Sequence, residues 1–171
     1  MSEMVRKAIA FAMDKHSGQV RGGSKLPYVV HVIGVYSTVK KYKESKKNDV
    51  IQCAALLHDT LEDTNATFEE LTKEFGAQTA SIVLELTDDL VLIKQLGKEE
   101  YQKKKMCGIS SYALTIKFAD FLDNTSDRPT PNMIARIKNV CLHVEAHREL
   151  SGTQKLILAE VYRVIKEYEE K

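Results

Sequence analysis

No segment of this chain sustains the alternation of apolar and polar residues that a half-buried strand requires, whereas apolar residues recur at three- and four-residue spacing through most of its length. Only 8 Gly and 3 Pro interrupt 171 residues, so few positions force a turn and long helices are favoured. Hydrophobic residues make up 43%, enough at this length to bury a core. The expectation is an all-α fold. With no internal repeat, linker or low-complexity tract, a single domain is expected over residues 1–171.

The first helix is predicted from about Glu3 to Ser17, with Val5, Ile9, Ala12, Met13 and His16 on one face. Gly18, Gly22, Gly23 and Pro27 then mark a loop that carries Arg21 and Lys25. A second helix follows Pro27, with Val32, Val35, Tyr36 and Val39 as its apolar face and His31 one turn before Val35. Lys40, Lys41, Lys43, Lys46 and Lys47 crowd its end, where cations suit a helix C-terminus. Asn48 or Asp49 caps a third helix running to Leu57; it is apolar nearly all round and so should be central.

Thr67 and Glu70 form a capping-box pattern that opens a short helix stopping at Gly76, and another helix covers about Ala77 to Thr87. The segment from Asp88 to Gly108 is charged and undecided, with a helix near Lys98 to Met106. Ser110 or Ser111 caps a helix from Tyr112 to about Asp127, which Arg128-Pro129-Thr130-Pro131 breaks. Helices over about Asn132 to Glu149 and Thr153 to Glu169 complete the fold, the last with Ile157, Val161, Val164, Ile165 and Tyr168 on one face.

A net charge of +1 gives no global field to draw nucleic acid or a membrane surface. Cys53, Cys107 and Cys141 are odd in number and far apart, which fits reduced thiols in a cytoplasmic protein. No apolar run approaches the roughly 20 residues of a membrane span, and the opening MSEMVRKAIA has no signal-peptide core.

The chemistry-bearing residues begin at His58-Asp59, side by side at the end of the apolar third helix. Neighbours on a helix do not face one another, so both reach one point only at a terminus or bend. A carboxylate beside Leu56 and Leu57 is costly to bury, and a bound cation removes that cost; a plain His–Asp hydrogen bond is the alternative. His31 lies on the apolar side of its helix, as a satisfied core histidine also would.

Asp120 lies within a second apolar run, and Ala113, Lys117, Asp120 and Asn124 share one face, so an ion pair from Asp120 to Lys117 is its alternative role. Two imidazoles and two carboxylates at core-facing positions make a mixed N/O set suited to Mn²⁺, Fe²⁺ or Zn²⁺ rather than Ca²⁺. Such a cation would acidify a bound water and polarise phosphorus. Glu62 and Asp63, one turn on, can orient that water or protonate a leaving group, or can be solvated loop acids.

Taken together, His31, the run Ala54-Ala55-Leu56-Leu57-His58-Asp59-Thr60-Leu61-Glu62-Asp63-Thr64, and Lys117-Phe118-Ala119-Asp120 followed by Asn124 resemble the HD hydrolase domain of RelA/SpoT proteins. The small stand-alone form, which includes the metazoan SpoT homologue, is the nearest pattern; Phe75-Gly76-Ala77 and Leu86-Thr87-Asp88-Asp89 also fit it. The resemblance runs from about Ala8 to Asp127 and more loosely to the C-terminus. It implies an all-helical Mn²⁺ enzyme, one ion per chain, that removes the 3′-pyrophosphate of ppGpp or pppGpp to give GDP or GTP.

The family's ligands map onto His31, His58, Asp59 and Asp120, and its catalytic acids onto Glu62 and Asp63. Its nucleoside contacts map onto Arg21 and Asn124, with Tyr28 where the family has a Tyr before the first His; Lys25 and Lys117 are further candidates for sugar or phosphate. Three positions depart from the family pattern: Val32 stands for Pro, Gly22-Gly23-Ser24-Lys25 lacks the usual Lys or Arg directly after Arg21, and Asp123 replaces Tyr or His. The last two fall on the nucleotide side of the expected site.

Two other functions remain open on the sequence: an HD phosphohydrolase acting on a dNTP, a nucleoside 5′-phosphate or NADPH, and a non-catalytic nucleotide-binding module. His143 and His147 are one turn apart, but Glu145 is at the wrong offset for the metalloprotease motif, and a solvated helix face is expected. Lys103-Lys104-Lys105 is expected on a helix surface. No phosphate-binding glycine loop or nucleophile elbow is present. A monomer or small homo-oligomer is expected.

Overall fold

The computed structural model describes residues 1–43 and 48–170, and every extended element among them is helical. The all-α expectation holds. The helices are α1 (Glu3–Lys15), α2 (Val29–Tyr42), α3 (Asn48–Leu57), α4 (Thr60–Asp63), α5 (Phe68–Phe75), α6 (Ala77–Leu86), α7 (Leu90–Leu96), α8 (Lys98–Gly108), α9 (Ser111–Ser126), α10 (Pro131–His147) and α11 (Gly152–Glu169). They fall into two compact units, Met1–Thr87 and Asp88–Lys171.

In the first unit α3 is the central element, packed against α1, α2 and α6. Ile51 and the run Cys53–Leu57 are fully buried, as expected of a helix apolar on nearly all sides. Burial of Leu56 or Leu57 stabilises the fold by about 1.5–3 kcal/mol each on area grounds. α2 buries Val32, Val35, Tyr36 and Val39, the predicted face, together with His31. α1 buries Val5, Ala8, Ala12 and His16.

Met13, expected on the buried face of α1, is instead 53% exposed, because the stripe runs through Ala8 and Ala12 and leaves Met13 at its margin. Thr67 caps α5 through the Glu70 amide, but the Glu70 carboxylate pairs with Lys15 at 3.0 Å. Only that half of the expected capping box therefore forms. Gly76, at φ +85°, ends α5 and opens α6, a left-handed turn that a side chain would strain. Lys46 and Lys47 of the basic run lie outside the described residues, as does the residue preceding α3.

In the second unit α9 packs on α11, and α10 on α8. Phe118, Phe121, Ile137, Val140, Ile157 and Val161 form much of its core. Ser110 is the cap of α9, accepting from the Ala113 amide, while Ser111 supplies acceptors to Gln154. Pro131 does not end a break but starts α10, where its missing N–H costs nothing, and Thr130 caps it. The undecided stretch resolves into α7, capped by Asp89, and α8, joined at Gly97 with φ +81°. Val164 and Tyr168 of α11 are half-buried at the edge of the stripe formed by Ile157, Leu158, Val161 and Ile165.

All three cysteines are free thiols. Burial pushes the Cys53 thiol up to about 12, helped by Asp49, and raises Cys141 similarly, so both are inert core groups at neutral pH. Among the described residues no helix is long and apolar enough to cross a membrane.

Candidate metal centre and catalytic acids

The site starts at the end of α3. His58 follows its last residue, and its Nδ1–H donates to the Ala55 carbonyl at 2.9 Å. That bond fixes the tautomer and leaves the Nε2 lone pair pointing inward. Asp59 precedes α4 and so lies at the bend, which is how two sequence neighbours come to address one point. His31, from the first turns of α2, is the third contributor.

His31 Nε2 lies 3.2 Å from His58 Nε2, and Asp59 Oδ2 lies 3.0 Å from His58 Nε2 and 3.4 Å from His31 Nε2. Both imidazoles are 2% exposed. Two ring nitrogens and a carboxylate oxygen thus meet at one point, a donor set that suits a cation. Nitrogen and oxygen ligands sit about 2.0–2.2 Å from Mn- or Zn-sized ions, so donors at right angles to tetrahedral spacing are about 3.0–3.4 Å apart. The observed triangle has those edges, and a divalent ion fits it.

Burial opposes ionisation of Asp59, but the His58 and His31 imidazoles beside it outweigh that and hold its carboxyl well below the usual range. Tyr28 is half-buried, and its hydroxyl donates to Asp59 Oδ2 at 2.6 Å. It therefore meets the carboxylate side of the centre.

Glu62 and Asp63 end the short α4, both exposed. Loss of hydration and the nearby Asp59 charge push the Asp63 carboxyl above its ordinary value, against a hydrogen bond from Tyr28 and the His16 and His58 rings, which lower it. Arg21 is 8% exposed, with its backbone tied to Leu26. Lys25 is exposed at a left-handed φ of 64°, a strain at the loop tip that the sequence did not announce.

In the second unit Asp120 is buried on α9, as its place in the apolar run implied. Its Oδ2 pairs with Lys117 Nζ at 2.9 Å, and its Oδ1 accepts from Asn124 Nδ2. The ion pair set out as its alternative role therefore forms, and Lys117, Asp120 and Asn124 act on one face of one helix.

Sequence reasoning missed Arg136, which donates to the buried Gln102 and is otherwise surrounded by the charges of Asp120, Asp88 and Glu99. Burial lowers its guanidinium pKa against the pull of those acids. An Arg inside the apolar period of α10 was the available signal. Lys103 pairs with Glu99 and Glu100, as expected of a helix surface, while Lys105 is drawn to Asp88 at 2.9 Å.

Comparison with known proteins gives consistent matches. The HD domain family matches residues 8–109. A guanosine-3′,5′-bis(diphosphate) 3′-pyrophosphohydrolase MESH1 of Danio rerio is 42% identical over 128 residues, 73% of this chain and 70% of that protein. Its Xenopus tropicalis counterpart is 38% identical over 131 residues, 75% of this chain and 72% of the relative. A solved structure, described as a metazoan ortholog of SpoT that hydrolyzes ppGpp and plays a role in starvation responses, superposes with a TM-score of 0.78. It is 31% identical, covering 95% of this chain and 96% of its own.

Proposed function

The chain belongs to the HD-domain family, in its small RelA/SpoT-like branch, and from that premise we propose that it is a metal-dependent hydrolase of the 3′-pyrophosphate of ppGpp or pppGpp. The observation that carries the reading is the meeting of His31 Nε2, His58 Nε2 and Asp59 Oδ2 within 3.4 Å of one another, a donor set that suits a divalent cation.

Mn²⁺ is the proposed ion, held by His31, His58 and Asp59 with Asp120 as fourth ligand; Fe²⁺ and Zn²⁺ suit the same donors. His31, His58 and Asp120 are all buried and each offers a ligand atom. Asp120 would add its carboxylate to the ion, and Lys117, its ion-pair partner at 2.9 Å, would be placed to meet a phosphate oxygen. When bound, the ion lowers the pKa of water and offsets phosphate charge.

The chain's own groups do the rest. His58 is held by the Ala55 carbonyl and Asp59 by the Tyr28 hydroxyl, so neither donor must reorganise during turnover. Glu62 and Asp63 orient the attacking water and return a proton to the ribose 3′ oxygen as its bond to phosphorus breaks; a raised Asp63 pKa suits the proton donor. Arg21, Lys25, Tyr28, Lys117 and Asn124 are the proposed nucleotide contacts. The two units are read as one catalytic domain, since the HD match continues past Thr87 to residue 109.

The test is pyrophosphate release from ppGpp by purified protein at micromolar concentration with Mn²⁺; absence of turnover ends the proposal. The exposed, strained Lys25 beside Gly22 and Gly23 favours a second reading, the same chemistry on another nucleotide. A panel of dNTPs, nucleoside 5′-phosphates and NADPH separates the two.

A further inference from the structure

α4 has 4 residues and no side-chain cap at its N-terminus. A single turn cannot hold itself, because nucleating helix fixes several dihedrals for one hydrogen bond. Yet this turn aims Glu62 and Asp63. Thr60, buried and bonded to the Leu57 carbonyl, anchors its start, and Thr64 bonds back to the Thr60 carbonyl; further support comes from the segment that leaves α1.

His16 closes α1, its backbone N–H donating to Ala12, and the chain then folds back so that the Gln19 carbonyl accepts from the Tyr28 amide at 2.9 Å. Two links run from this segment to the two ends of α4. Tyr28 reaches Asp59 ahead of it. At the other end, Gln19 Nε2 donates to the Asp63 carbonyl at 2.7 Å, and Gln19 Oε1 lies 2.7 Å from His16 Nδ1.

The protons in this relay are determined. The Asp63 carbonyl only accepts, so the Gln19 amide nitrogen must face it; Oε1 then faces His16, and Nδ1 carries the hydrogen. His16 is 3% exposed and stacks on Tyr28 with centroids 4.9 Å apart, while its Nε2 has no partner among the described residues. A buried acceptor without a donor is costly, and an apolar residue of like shape would avoid that cost. The ring's hydrogen bond among the described residues is on its Nδ1 side.

We propose that His16 and Gln19 are positioning residues that set the catalytic acids by holding the Asp63 end of α4. The inference deepens the proposed hydrolase function and rests on it. Neither residue is placed on metal or substrate, so the expected signature is a fall in kcat with KM and metal content unchanged.

The test uses Mn²⁺-loaded protein and ppGpp. Gln19→Ala and Gln19→Glu should each lower kcat about 10–100-fold, as outer-shell losses do, since neither new side chain can donate to the Asp63 carbonyl. His16→Leu should do the same. His16→Asn, whose amide nitrogen can take the place of Nδ1–H, should keep kcat within about threefold of the parent, the usual contextual scatter for one neutral hydrogen bond. A second readout needs no substrate: amide exchange at Asp63, whose N–H bonds to the Asp59 carbonyl at 2.9 Å, should quicken at least about tenfold in Gln19→Ala.

Parental kcat and exchange in Gln19→Ala overturn the inference, as does a loss in His16→Asn equal to that in His16→Leu. A parent inert toward ppGpp, with exchange still accelerated in Gln19→Ala, sinks the function and leaves the brace standing.

Discussion

Two pairs of histidines can be compared within this chain. His31 and His58 come from different elements of the first unit and meet Nε2 to Nε2 at 3.2 Å, both almost fully buried. His143 and His147 come from one helix of the second unit, their rings stacked with centroids 4.1 Å apart, one half-buried and the other exposed. In the first pair His58 Nδ1 is tied to the Ala55 carbonyl, and the inward nitrogens meet the Asp59 carboxylate. In the second, His147 Nδ1 is spent on the His143 carbonyl of its own helix.

Spacing of i and i+4 brings two rings together but recruits nothing else. Convergence of separate elements adds a carboxylate and removes water, and those two differences make the first pair of imidazoles the proposed cation site.

The largest effect that can break this contrast is at Asp59. Asp59→Asn or His58→Ala should lose the metal and lower turnover by at least about 10³, the several kcal/mol a metal supplies. Metal analysis and pyrophosphate release check both, and stoichiometric metal with a normal rate would refute the ligand assignment.

Next is Glu62→Gln, which should keep the metal and slow chemistry by about 10²–10⁴, the range of general acid–base catalysis; coincident loss of metal would move Glu62 into the ligand set.

A smaller effect concerns pH. Desolvation and Asp59 raise the folded-state Asp63 pKa, so in the metal-free protein Asp63 holds its proton to higher pH when folded than when unfolded. The Asp63 contribution to stability should therefore fall as pH rises from the ordinary carboxylate value through the raised one, against the opposite contribution of Asp59. Asp63→Asn should flatten that slope in denaturant titrations of chelator-treated protein, and an unchanged slope would show that Asp63 is not its source.

The smallest effect is at the contrasting pair: His143→Ala with His147→Ala should leave metal stoichiometry and rate unchanged. A drop in either would place α10's exposed face in the function.

The sequence by itself determined the helical class, because its apolar spacing has no competing period of two, and it determined α3 as the central helix, because Ile51 to Leu57 leaves it almost no polar side. It also marked every residue of the His31–His58–Asp59 triangle by chemical type. The caps at Thr67 and Ser110 were legible because a hydroxyl residue precedes each helix, whereas those at Ser2, Asp89, Thr130 and Ser151 went unread. Met13 was misplaced because two small alanines define the buried stripe of α1, and apolar spacing cannot tell the middle of a stripe from its margin.

The structure alone decided the donor separations, the half-formed cap at Thr67, and the brace from His16 through Gln19 to Asp63, residues 44 positions apart at its longer step. The physical reason is one of range. Periodicity and capping are local, set by neighbours within a turn or two. The meeting of side chains distant in sequence depends on how helices cross, and that is fixed only when the core is packed.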